Sequence, residues 1–580
     1  MTKQEFSKII KDQFLFLDGA TGSNLQKRGM PSGVCPELWI TEHKEVLIGL
    51  QKEYVEAGSN IVYAPTFSAN RIKLAGYGLE ERLEELNKTL VAISREAVDG
   101  KALVAGDLTM TGELLEPVGM LSFEELIDIY KEQIRCLEEA GVDLLVVETM
   151  MSLQECRAAL IAAKETAPNL PVMVTMTFEE SGRTLYGTDA KTAAVVLESL
   201  GADAVGVNCS TGPEKMVKVV EAIAAVTNVP IIAKPNAGLP SLDENGQTVY
   251  EMGAEEFGEK MQLLVDAGAV ILGGCCGTTP DHINALTKSV KPADRKVQRR
   301  KSGVRLLSSE RKTVSFDTES QLMIIGERIN PTGKSDLGEE FMEEEFYTLE
   351  DLASEQEDAG AHLLDINCGM SGIDEKKIML GALDAAAGVT QLPLVLDSGD
   401  ADVLEAALRR YPGRALVNSV TFEQEKMERL LPVIKKYGAM FILMPITDAG
   451  IPVDFEEKTE VIGKVTQKAL ALGISKEDIV VDAVTTSVAI NPEAAKETLQ
   501  VLRWCKENHF ASVCGISNIS YGMPNRSDIN AAFLHLAVEA GLTMAILNPC
   551  QKKVMQAVSC AELLAGKEDG MANYLELARA

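Results

Sequence analysis

"VILGGCCG" (270–277) is an apolar run that ends in two glycines and two adjacent cysteines, and it is the last of eight such runs in the first half of the chain. The other seven are "LFLDGATG" (15–22), "NIVYAPTF" (60–67), "ALVAGDLT" (102–109), "DLLVVETM" (143–150), "PVMVTMTF" (171–178), "AVGVNCS" (204–210) and "PIIAKPNAG" (230–238). Between them lie stretches such as 122–140 and 253–267, in which apolar residues recur at spacings of three and four, the period of a helix with one buried face. Near-continuous apolar strands separated by helices imply a parallel sheet covered on its outer side. Eight strand–helix units predict a closed (βα)8 TIM barrel; a doubly wound open sheet is the alternative, and the count argues against it.

The same alternation resumes in the second half. Its runs are "LMIIGERIN" (322–330), "HLLDINCG" (362–369), "PLVLDS" (393–398), "RALVNSVT" (414–421), "AMFILMPIT" (439–447), "DIVVDAV" (478–484), "SVCGISNIS" (512–520) and "MAILNP" (544–549), again eight. Between the two sets, residues 288–312 carry ten Lys or Arg against only Asp294 and Glu310, which reads as a solvated linker. The predicted organisation is an α/β chain of two tandem TIM barrels: residues 1–290, a basic linker 291–315, and residues 316–580.

Bulk properties narrow the function. The 580 residues are too many for one ordinary core. A formal net charge of −30 disfavours nucleic acid and anionic membrane as partners, since either calls for a basic surface. No apolar run approaches the ~18 residues of a membrane span, and "MTKQEFSKIIKDQ" lacks a signal-peptide core. The expected location is the cytoplasm. There, eleven scattered cysteines should be thiols, with any special set binding metal or acting in catalysis.

In a TIM barrel, chemistry sits at the carboxyl ends of the strands. Cys275 and Cys276 end the eighth run of the first half and Cys209 ends the sixth, so three sulfurs can converge on one rim. Two readings stand: inert buried thiols, or three ligands of a tetrahedral zinc whose missing fourth ligand marks a catalytic site. A thiol entering that fourth position would lose its proton and become a nucleophile. "DGATG" (18–22), "GVNCS" (206–210), "KPNAG" (234–238) and "GGCCGTTP" (273–280) closely resemble the homocysteine S-methyltransferase family over roughly residues 1–290. The resemblance implies that Cys209, Cys275 and Cys276 bind zinc and that homocysteine supplies the fourth ligand. It also makes Glu148 and Asn236 holders of the amino-acid head group; their alternative is to bond neighbouring loops. Asp18 shares the rim as a further head-group candidate or as a cap of the first loop.

The second half ends its strands in carboxylates and amides: Glu327, Asn330, Asp365, Asn367, Asp397, Asn418, Asp482 and Asn518. Together these present donors and acceptors, which suits a heterocycle with amino, ring N–H and carbonyl groups. "GERIN" (326–330), "LDIN" (364–367), "VNS" (417–419) and above all "GISNISYGMPNR" (515–526) resemble the pterin-binding methyltransferases that act on methyltetrahydrofolate. This implies that Asp397, Asn418 and Asp482 hold the pterin edge, that Asn518 reaches the methyl-bearing nitrogen as the catalytic group, and that Arg526 approaches the folate or orders its loop. "VDAVTTSVAI" departs from the pattern, which has Pro after the Asp, and so weakens the case for Asp482 relative to Asp397.

Together the halves resemble the two N-terminal modules of the cobalamin-dependent methionine synthase family. The expected reaction moves a methyl group from 5-methyltetrahydrofolate, via cobalamin, to zinc-activated homocysteine. None of the five histidines has Asp two residues before it, as the cobalamin-carrying module requires. The cobalamin is therefore expected on a module or subunit absent from this chain. Three alternatives keep the fold and change the role: a homocysteine methyltransferase using another donor such as a methylated sulfonium, a methyltetrahydrofolate:corrinoid protein methyltransferase, and a folate or zinc store without turnover.

Overall fold

In the computed structural model, which describes residues 1–242, 248–295, 300–452 and 454–579, the apolar runs become strands shorter than the runs themselves. The first unit, Met1–Lys301, contains β1 (Leu15–Phe16), β2 (Ile61–Tyr63), β3 (Leu103–Leu108), β4 (Leu144–Met150), β5 (Val172–Met176), β6 (Ala204–Asn208) and β7 (Ile231–Lys234). A small antiparallel hairpin, β8 (Pro240–Leu242) and β9 (Thr248–Tyr250), precedes the last barrel strand, β10 (Ile271–Leu272). The eight barrel strands form one parallel sheet in the order β1-β10-β7-β6-β5-β4-β3-β2. A single bridge, Leu17 to Ile61, and the bond from Asn60 N to Phe16 O (2.7 Å) bring β1 back to β2, so the cylinder is nearly closed. Strands β2, β5, β6 and β7 are buried at every position, as strands covered by helices must be.

Sequence-level caps set the helix starts. Ser122 and Glu125 exchange a reciprocal pair of bonds at the head of helix Phe123–Glu139, and Asp189 accepts from Thr192 N at the head of Ala190–Leu200. The helix predicted over 253–267 is observed as Ala254–Ala267.

The second unit, Ser302–Ala580, begins with the antiparallel hairpin β11 (Arg305–Ser308) and β12 (Thr313–Phe316). Its barrel follows: β13 (Met323–Ile329), β14 (Leu363–Asn367), β15 (Leu394–Asp397), β16 (Leu416–Phe422), β17 (Met440–Thr447), β18 (Ile479–Asp482), β19 (Ala511–Gly515) and β20 (Met544–Leu547). Here the ring closes fully, with β13 paired to β20 from Met323–Met544 to Gly326–Leu547.

The hairpin corrects the linker reading. Leu307 and Phe316 pack in one cluster with Met323, Leu363, Leu416 and Met544, residues at the amino ends of the barrel strands. Ser308 and Arg414 exchange backbone bonds at 3.1 and 2.9 Å, and the buried Arg414 guanidinium reaches Leu306 O and Asp478. Residues 305–315 therefore belong to the second barrel. Ten basic residues mask two leucines whose burial caps an otherwise open apolar barrel floor. Among the described residues, no helix is long and apolar enough to cross a membrane.

Candidate functional site

The backbone delivers the three cysteines of the first unit to one point. Cys209 N bonds Lys234 O (3.0 Å), Cys275 N bonds Pro235 O (2.8 Å), and Ala237 N bonds Cys276 O (3.0 Å). The "KPNA" segment thus braces both cysteine loops. Cys209 and Ser210 adopt φ of +63° and +62°, a conformation unusual for side chains larger than glycine. The glycines before the pair have a steric role: a Cβ on Gly274 would lie 2.4 Å from Thr278 Oγ1.

The sulfurs of Cys209, Cys275 and Cys276 lie within 4.8 Å of one another, and Cys209 to Cys276 is 4.0 Å. Among the described residues they are the only such group of potential metal ligands, and all are free thiols. Sulfurs on a tetrahedral zinc at 2.3 Å stand about 3.8 Å apart, so this trio fits the ion with small adjustments. Hydrogen bonds from Cys209 and Cys275 hold the Cys276 thiol down to about 3. Cys275 is pushed well above the usual thiol range, first by its bonds to Cys209 and Cys276 and then by burial. A cation held by the trio would favour the ionised form of all three thiols. Asn208 orients the group from behind: its Oδ1 accepts from Thr149 N (2.9 Å), and its Nδ2 faces Cys275 Sγ at 3.7 Å.

These sulfurs edge a cavity of 310 Å³ whose wall includes Asp18, Asp107, Glu148 and Lys234. Lys234, only 3 % exposed, sits 3.6 Å from Asp18 Oδ1, 3.4 Å from Glu148 Oε2 and 3.8 Å above the Tyr63 ring. Burial pulls its ammonium toward neutrality, but Glu148, Tyr63 and Asp18 outweigh that and keep it charged. Asp18 is pushed up to about 6 by burial, although Lys234 and the Tyr63 N–H oppose the shift. Asp107 is raised by burial and by Glu148, and its Oδ1 has no partner. Three carboxyl groups around one lysine leave acceptor capacity for a ligand ammonium. Asp18 and Glu148 thus face the cavity. Asn236 is not among the residues that line it; its side chain is buried, its N–H donates to Thr211 O (3.0 Å), and its Oδ1 has no partner. The sequence reading missed Lys234 and Asp107. The available signals were a lysine inside the apolar run "PIIAK" and an aspartate inside "ALVAGDLT".

At the mouth of the second barrel the polar residues bond one another. Asn367 Nδ2 donates to Asp397 Oδ2 (2.8 Å) and its Oδ1 accepts from Gly369 N, so this amide is spent on orienting Asp397. Asn418 Nδ2 donates to Asp365 Oδ1 (3.2 Å). Burial pushes Asp365 well up, helped by Asp397, and raises Asp397 itself. Asp482 is pushed up to about 6 by burial, while its Oδ1 accepts from Val484 N (2.7 Å). Glu327, also raised by burial, accepts from Ser517 Oγ (2.7 Å). Asn330 caps its own turn through Thr332 N (2.9 Å). Asn518 stands exposed on the short helix Ile516–Ser520, directly after Gly515 at the end of β19. Arg526 donates to Ser520 Oγ (3.1 Å) and Ser517 O (2.8 Å), so it orders this loop.

Residues 15–290 match the family model described as homocysteine S-methyltransferase, and residues 326–548 match that described as pterin binding enzyme. A methionine synthase of Mycobacterium leprae (strain TN) is 30 % identical over 571 residues, covering 92 % of this chain and 47 % of the relative. A methionine synthase of Mycobacterium tuberculosis (strain ATCC 25618 / H37Rv) is 29 % identical over 576 residues, covering 93 % and 48 %. The chain spans about half the length of these curated relatives. The metallated homocysteine methyltransferase MmuM from Escherichia coli aligns with 49 % of this chain and 99 % of its own, at 23 % identity and a TM-score of 0.42.

Proposed function

We propose that this chain, a homocysteine S-methyltransferase domain followed by a pterin-binding domain, carries the two methyl-transfer sites of a methionine synthase. The second barrel takes the methyl group from 5-methyltetrahydrofolate and the first delivers it to homocysteine, by way of a cobalamin on a module or subunit outside this chain. The observation that carries the reading is the trio of sulfurs at the edge of the 310 Å³ cavity. Cys209, Cys275 and Cys276 would hold a zinc there, which would supply the Lewis acidity that keeps a substrate thiol ionised at neutral pH. A cobalamin presented to both barrels would supply the methyl-carrying chemistry between the two sites.

The chain's own residues do the rest. Asp18 and Glu148, held in place by Lys234, offer carboxylates to the substrate ammonium and so point its thiol at the sulfurs. In the second barrel Asp397, locked by Asn367, and Asp482, locked by Val484 N, offer acceptors to the amino and ring N–H groups of the pterin. A methyl group on an amine is a poor electrophile until its nitrogen gains positive character. Asn518 stands on the rim loop to share that charge as the methyl leaves. Both substrates are small polar molecules, which agrees with a place in the cytoplasm.

The two half-reactions can be assayed apart. Methylcobalamin with homocysteine should give methionine, and methyltetrahydrofolate with cob(I)alamin should give methylcobalamin. Cys275→Ala should abolish the first and spare the second. Failure of both half-reactions in zinc-loaded protein would refute the reading. Methionine formed from a methylated sulfonium without cobalamin would transfer the first barrel to the alternative donor.

A further inference from the structure

Strand β4 carries a bulge where it reaches the mouth of the first barrel. Its register with β5 runs Leu145–Val172, Val146–Met173 and Val147–Val174, then skips to Met150–Met176, so Glu148 and Thr149 together oppose Thr175. Bulges near a site re-aim a side chain, and this one leaves Glu148 on the cavity wall. Two features of the bulge are unfavourable by themselves. Thr149 takes φ of +58°, an outlier for a β-branched residue, and its N–H bonds to a side chain in place of the ladder. Asn208, the fully buried last residue of β6, meets both. Its Oδ1 accepts from Thr149 N (2.9 Å), and its Nδ2 donates to Thr149 Oγ1 (2.8 Å) and to Cys275 Sγ (3.7 Å). An amide turned the other way would set donor against donor at Thr149 N, so these contacts admit one orientation. On the other side of the bulge, Glu148 O accepts from Thr109 Oγ1 (2.9 Å).

We propose that Asn208 is a positioning residue of the first barrel. Through one amide it holds both the bulge at Thr149 and the sulfur of Cys275. It thereby fixes the separation between Glu148 and the sulfur trio, and so sets the length of the amino-acid thiol that the barrel accepts. This role rests on the reading of Glu148 as a holder of the substrate ammonium and of the trio as the place of its thiol. A substrate gripped at both ends is measured by the distance between the grips, and homocysteine is one methylene longer than cysteine. Without Asn208, Thr149 is released to the negative φ that its side chain prefers, and the turning backbone carries Glu148 away from its place.

The test titrates homocysteine and cysteine into the zinc-loaded full chain by calorimetry, beside methyl transfer from free methylcobalamin. The wild type should favour homocysteine by about 10–200-fold, the worth of one methylene in a fitted site. Asn208→Ala should keep one zinc per chain, since all three sulfurs remain. It should weaken homocysteine binding by about 10–100-fold and bring the ratio of the two affinities close to one. Adding Thr149→Gly should restore most of the ratio, because glycine adopts positive φ without strain. A residue that only supports the fold would not be replaced by a glycine two strands away. Should Asn208→Ala fail to fold, Thr149→Val removes the Oγ1 bond at a half-buried position and should lower the ratio at least about threefold. A wild-type ratio near one, an unchanged ratio in either single variant, loss of zinc from Asn208→Ala, or no recovery with Thr149→Gly overturns the positioning role alone. A wild-type chain that binds neither thiol overturns the homocysteine reading, and this role with it.

Discussion

The two barrel mouths share one scaffold and differ in how their polar groups are satisfied. In the first, three sulfurs have mainly each other as partners, and one buried lysine is shared by two carboxylates. In the second, carboxylates and amides already form pairs, Asn367 with Asp397 and Asn418 with Asp365. The first mouth is short of positive charge and suits a cation and a thiol. The second is preorganised by pairs of carboxyl and amide groups and suits a hydrogen-bonding heterocycle. A strand end is a position, and the residue placed there decides the chemistry.

The largest effect that would break this contrast concerns the sulfurs. Replacing Cys209, Cys275 and Cys276 by Ala should remove the zinc and lower methyl transfer to homocysteine by at least about 10³-fold. Folate binding should be untouched, because no sulfur of the trio lies in the second unit. Metal analysis showing full zinc occupancy in the triple variant would end the assignment.

Next comes the barrel floor. Leu307→Ala should destabilise the second unit by about 2–5 kcal/mol, as for other fully buried leucines, and leave the first unit's melting unchanged. A chain starting at Thr313 should be less stable than one starting at Ser302 for the same reason. Equal denaturation midpoints for the two would return the segment to linker status.

Asn518→Ala sharpens the comparison at the level of rate. If the amide meets the leaving nitrogen only as charge develops, its loss should slow transfer from methyltetrahydrofolate by roughly 10²–10³-fold, about 2–4 kcal/mol, with little change in folate affinity. Asp397→Ala should do the reverse and mainly weaken binding. Rapid-mixing rates and equilibrium titrations separate the two, and a 518 variant with normal rate removes Asn518 from catalysis.

The smallest effect is a pH dependence. Asp482 is pushed up to about 6 in the folded protein from an ordinary value of 3.8. Between those values the native state binds the extra proton, so stability falls as pH rises through the window from about 4 to 6. Above it the penalty is complete, at most about 3 kcal/mol. Asp482→Asn should lessen this slope in ligand-free protein, leaving the part contributed by other raised carboxyls such as Asp18. A melting profile with the same slope in the variant would show that the carboxylate is better solvated than its burial implies.

Some of the site was legible and some was not. The cysteines could be read because they close strand runs of a counted barrel, and position within a run does not depend on distant contacts. Lys234 was overlooked because a lysine among apolar residues says nothing of its partners, which lie 86 and 216 positions upstream at Glu148 and Asp18. Leu306 and Leu307 were hidden by the basic residues around them, since composition averages over the two side chains that matter.

What the sequence by itself determined is local: two sets of eight apolar runs, the helix caps between them, and which residues stand at the strand ends. The period of apolar residues and the chemistry of caps act over a few positions and need no fold to be read. Tertiary structure alone decided which strand-end groups bond each other, which face a cavity, and where the hairpin lodges. Those outcomes depend on desolvation and hydrogen-bond geometry between residues far apart in the chain, and both exist only once the barrels have closed.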